Sequence, residues 1–182
     1  MHTWRRALTA LCLAGSLVAG GAFLVSAQEG ATIAPSQGES GPMSPRVGAQ
    51  TILAQLQFTL SEGALAALAS DDVPDVAAYV VNMLEGENGE NYRQLEGYES
   101  DPYGLIQYLE DLTGKSADEL AQGDLEATAA SESESAEVRA FAHVLLAHRS
   151  LTGGAPADAA LLQEVAEHIK EAHSLVLGGV SE

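Results

Sequence analysis

Apolar residues recur at steps of three and four along most of the chain after residue 49, a spacing that predicts helices rather than strands. The clearest stretch is residues 135–177. Val138, Phe141, Ala142, Leu145 and His148 share one helical face, and Leu161, Leu162, Val165, Ile169, Ala172 and Val176 share another. Between them lies Thr152-Gly153-Gly154-Ala155-Pro156. The glycines can supply a left-handed cap, and proline suits the first turn of a following helix. Asp158 near the start of the second helix, with Lys170 and His173 nearer its end, matches the helix dipole. A connection this short predicts two antiparallel neighbours.

Upstream, residues 49–69 carry Ile52, Leu53, Leu56, Leu60, Ala64, Leu65 and Leu68 as one stripe, with a bend expected at Gly63. Ser70-Asp71-Asp72 and Pro74 open a helix over residues 73–84 that turns Val76, Val80, Met83 and Leu84 inward. Residues 85–102 have no period. A short helix over residues 103–112 points Leu105, Ile106, Leu109 and Leu112 inward and ends at Thr113-Gly114. Ser116 and Glu119 form a capping box for the next segment. Its Ala and Glu content favours one continuous helix over residues 116–151, across the polar seam at residues 131–135. The predicted fold is all-α: one small antiparallel bundle of four to five helices over residues 49–182.

The first 48 residues are of another kind. Arg5-Arg6, an apolar run over residues 7–25 and the small residues of Val25-Ser26-Ala27 mark residues 1–27 as a secretory signal peptide. Residues 28–48, rich in Ser, Gly and Pro, read as a disordered linker. The expected location is beyond the inner membrane: periplasm, cell envelope or medium. With residues 1–27 removed, Arg5 and Arg6 are lost, leaving six Lys and Arg against 26 Asp and Glu, a formal charge of −20. Such a charge repels phosphate backbones and argues against nucleic-acid binding. It suits a cation or a protein partner and keeps the chain in solution, and the mature form is expected to hold no stable membrane span. Trp4 and Cys12 leave with the signal, so neither a disulfide nor a thiolate site is open to the mature protein.

Two groups of residues could bind ions. The acidic loop offers Glu85, Glu87, Glu90 and Asp101, hard oxygen donors of the kind calcium accepts, although their spacing does not follow an EF-hand. Histidines occur as His143/His148 and His168/His173. Residues five apart on a helix differ by about 140° in direction, so neither pair can hold one ion alone. Across a hairpin turning near Gly154, however, His143 falls level with residues 165–168. His143 and His168, with Glu164 one turn from His168, could hold a transition metal, or the two histidines a haem b, between helices. The Glu-x-x-His motif of di-iron bundles is absent: Ala140, Leu145, Val165 and Lys170 stand three residues before the histidines. No nucleophile elbow, HExxH, P-loop or dinucleotide fingerprint occurs, and no catalytic residue is assigned.

The segment Val80-Val-Asn-Met-Leu-Glu-Gly-Glu-Asn-Gly89, followed by Asp101-Pro-Tyr-Gly-Leu-Ile-Gln-Tyr-Leu109, resembles a stretch of uncharacterised exported helical proteins of bacteria. Where those carry a His-Ala-x-His start, this chain has Val76 and Tyr79. The resemblance covers about a fifth of the chain and implies an exported helical protein, with no activity attached. The functional expectation is a non-enzymatic binding or interaction protein of the cell envelope, without a cofactor. The alternative is a metal-ion or haem b bundle built on the histidines of the C-terminal hairpin.

Overall fold

The computed structural model describes residues 43–96 and 102–178, and every regular element among them is helical. These are α1 (Pro45–Thr59), α2 (Glu62–Ala66), a 3-10 turn (Ser70–Asp72), α3 (Val73–Glu85), α4 (Leu105–Thr113), α5 (Ala117–Ala121), α6 (Leu125–Ala130), α7 (Ala136–Thr152) and α8 (Ala159–Gly178). The expected signal peptide, residues 28–42 of the expected linker, and Asp101 lie outside the described residues. No described helix is long and apolar enough to cross a membrane.

The hairpin of α7 and α8 forms as its period predicts, with Gly154 left-handed at the bend (φ 84°). α7 is the centre of the bundle. Val138, Ala140, Phe141, Ala142 and residues 144–147 are all buried, so nearly its whole circumference is covered. α8 covers one side with Leu162, Val165, Ile169, Ala172 and Val176; α6, α4 and α3 cover the others. Burying each such aliphatic or aromatic side chain is worth about 1.5–3 kcal/mol. α1 lies across α8 and α4 through Ile52, Leu53 and Leu56.

Three expectations are corrected. The linker does not extend to residue 48: α1 starts at Pro45, and Gly48 and Ala49 are buried. A Cβ on Gly48 would run into the ring of Tyr108, so glycine sits here for close approach rather than for flexibility. Arg46 ties this end down, donating to Glu137 Oε1 at 2.6 Å and to the Val176 carbonyl near the end of α8 at 3.2 Å. The first helix breaks at Leu60, not at Gly63, because the Ser61 hydroxyl accepts from Ala64 N and opens α2. The continuous helix over residues 116–151 is three helices. Ser116, Asp124 and Ser135 each accept a hydrogen bond from the backbone N–H three residues on, at 3.1, 3.0 and 3.2 Å. Short polar side chains that can bond the backbone locally end helices more effectively than Ala and Glu propensity can extend them.

Candidate functional site

The described polar side chains buried from solvent are Thr59, Asn82 and Glu85. Asn82 and Glu85 stand three apart on α3, both turned toward the loop that follows. Asn82 brackets the backbone of Arg93: its Oδ1 accepts from Arg93 N at 2.9 Å and its Nδ2 donates to the Arg93 carbonyl at 2.6 Å. Glu85 holds Asn91 by its backbone N–H and its side-chain amide. Its Oε2 accepts from Asn91 N and its Oε1 from Asn91 Nδ2, each at 2.7 Å. His148, reaching over from α7, places Nε2 2.5 Å from Glu85 Oε1. Burial by itself pushes the Glu85 carboxyl up, but the hydrogen bonds from His148 and Asn91 outweigh it and hold the group below its ordinary range.

Glycines make room for this arrangement. Gly86 leaves α3 at φ 74° and ψ −178°, a conformation essentially confined to glycine. A Cβ on Gly89 would strike the Glu85 side chain, and one on Gly104 would strike the backbone of Glu85 and Gly86. Gln107 completes the junction, accepting from Gly104 N at 2.5 Å and donating to the Glu85 carbonyl at 3.1 Å.

The loop held in this way forms one wall of a groove of about 450 Å³. Ala77, Ala78 and Val81 of α3 line it on one side, and Leu151 and Pro156 of the hairpin bend on another. Asn91 and Arg93 supply its polar edge. Arg46, Lys115, Arg149 and Lys170 each meet a carboxylate, and Arg139 donates to the Ala129 carbonyl. Among the described residues, that leaves Arg93 as the Lys or Arg whose guanidinium or ammonium meets neither a carboxylate nor a carbonyl.

The hairpin brings His143 and His168 together as its register predicts. Their Nδ1 atoms are 3.2 Å apart, one donating to the other, with both rings half-buried. Burial, followed by the neighbouring His168, holds His143 below its ordinary pKa. Glu164 does not join them. It lies one turn nearer the bend, exposed, and accepts from Ser150 Oγ at 3.0 Å. The two rings lie in tilted contact, their centroids 5.4 Å apart.

Of the acidic loop's four expected ligands, the described three do not converge on one point. Both Glu85 oxygens face inward and are occupied, Glu87 and Glu90 are exposed, and Asp101 is outside the described residues. No group of three His, Cys, Asp or Glu among the described residues is placed to hold a metal. Sequence reasoning missed Asn82, Asn91, Arg93 and the role of His148. The signal available was two polar residues inside the apolar run Val80-Val-Asn-Met-Leu-Glu85. No protein-family model, curated protein or solved structure matches the chain.

Proposed function

We propose that the bundle is a non-enzymatic binding protein of the cell envelope and that its ligand occupies the groove between α3, the 86–93 loop and the α7–α8 bend. The observation that carries this reading is the use made of buried polar groups. Burying an amide or a carboxylate costs free energy unless its hydrogen bonds are complete. Asn82 and Glu85 are buried, and their partners Arg93 and Asn91 both line the groove. The fold thus fixes an exposed loop at the rim of a concave apolar surface, the usual design of a small-molecule site. Titrating a fragment library into isotope-labelled protein tests this. Saturable shifts should cluster on Ala77, Ala78, Val81, Leu151 and Arg93 and vanish when Ala78→Leu fills the groove. Shifts scattered over the surface would refute it.

A second reading assigns the His143–His168 pair to a small transition-metal ion. Two ligands on a tetrahedral ion with bonds of about 2.0–2.1 Å lie about 3.3 Å apart, close to the 3.2 Å between these nitrogens. Zinc bound near one equivalent and lost in His168→Ala supports it; the same uptake in wild type and variant counts against it.

A further inference from the structure

We propose that the groove takes an organic monocarboxylate with a short apolar body, its carboxylate paired with Arg93 and its body lying over Ala77, Ala78 and Val81. This rests on the groove being the ligand site and adds the ligand's chemical class.

The apolar part follows from the lining. Small and aliphatic side chains form the floor, and about 450 Å³ lies near the lower end of the roughly 300–1,000 Å³ that small-molecule sites span. The charged part follows from Arg93. In a chain with 26 acidic side chains, every other described Lys or Arg is engaged with a carboxylate or a carbonyl. Arg93 lines the groove, and its backbone is clamped on both sides by Asn82. A clamped backbone lowers the ordering cost of forming a two-pronged guanidinium–carboxylate contact. Asn91 Nδ2 gives one proton to Glu85 and has a second to offer a ligand oxygen at the same edge.

The acidity of the remaining surface selects among anions. One arginine balances one negative charge. A phosphate dianion or a polyanion would leave charge uncompensated in an acidic field, whereas a monocarboxylate is neutralised on contact. Longer-range repulsion is screened beyond about 8 Å at physiological ionic strength.

The test uses protein purified after expression of the full chain, titrated with octanoate, octanol, octylamine and inorganic phosphate. Affinities come from calorimetry and the location of binding from amide shifts. Octanoate should bind in the groove about tenfold or more tighter than octanol, since a charge-assisted pair is worth at least one factor of ten. Octylamine and phosphate should not bind there. Arg93→Gln is exposed and should melt as wild type does. It should lose about tenfold in octanoate affinity and leave octanol unchanged. Equal binding of octanoate and octanol, or an Arg93→Gln variant that binds octanoate as wild type does, overturns the carboxylate while the groove stands. Tighter binding of phosphate than of octanoate also overturns it. Absence of groove shifts with every probe overturns both.

Discussion

Glu85 ends α3 with its carboxylate directed back into the protein, and Asn82 turns its side-chain amide inward one turn earlier. Each bonds backbone groups of a loop that has no regular structure of its own to satisfy them, Asn82 the N–H and carbonyl of Arg93 and Glu85 the N–H of Asn91. Asn82→Ala should therefore do two things. It should lower stability by about 1–3 kcal/mol, read from the urea midpoint, because a complete buried network loses its organiser. It should also raise hydrogen exchange at Arg93, whose N–H loses its partner. An unchanged midpoint would mean that water serves the loop equally well. None of this was visible as a period. An Asn or Glu following an apolar run looks the same in sequence whether it faces solvent or a loop ten residues on.

At the scale of elements, the apolar stripes located the helices, and side-chain caps set their ends. The expected helix over residues 73–84 is α3 to within a residue, because its inner face, its proline and its glycine stop all agree. The expected helix over residues 116–151 failed where propensity and capping disagreed, and Ser135 and Asp124 decided the outcome. Glycines divide in the same way. Gly63 lies inside α2 with open space where a Cβ would go, so Gly63→Ala should stabilise the fold by about 0.4–1 kcal/mol. Gly104 faces the backbone of Glu85 and Gly86, so Gly104→Ala must part α3 from α4 and should cost more than the roughly 1–3 kcal/mol of ordinary overpacking. Thermal melts of the two variants should move in opposite directions; a shift of the same sign would place the α3–α4 junction elsewhere.

For the whole molecule, protonation couples to folding in two windows. His143 and His173 titrate below their ordinary 6.5 in the fold, both through burial first. The unfolded chain therefore takes up protons before the folded one, and stability falls as pH drops below 6.5. Glu137, through its Arg46 hydrogen bond, and Glu85 titrate below their ordinary 4.5. The stability they contribute is full above 4.5 and lost as pH falls through their folded values. Urea unfolding between pH 7.5 and pH 3 should show both losses, and His143→Gln should reduce the first while leaving the second. A flat profile between pH 7 and pH 5 would contradict the first. The all-helical class, the C-terminal hairpin and the meeting of His143 with His168 were written in the sequence, because helical period and a short glycine-rich turn are local properties. The start of α1 at Pro45, the inward turn of Glu85 and the groove edged by Arg93 were decided only by tertiary structure. Each depends on partners dozens of residues away, Tyr108, Glu137, His148 and Leu151, and no local pattern encodes a contact across that distance.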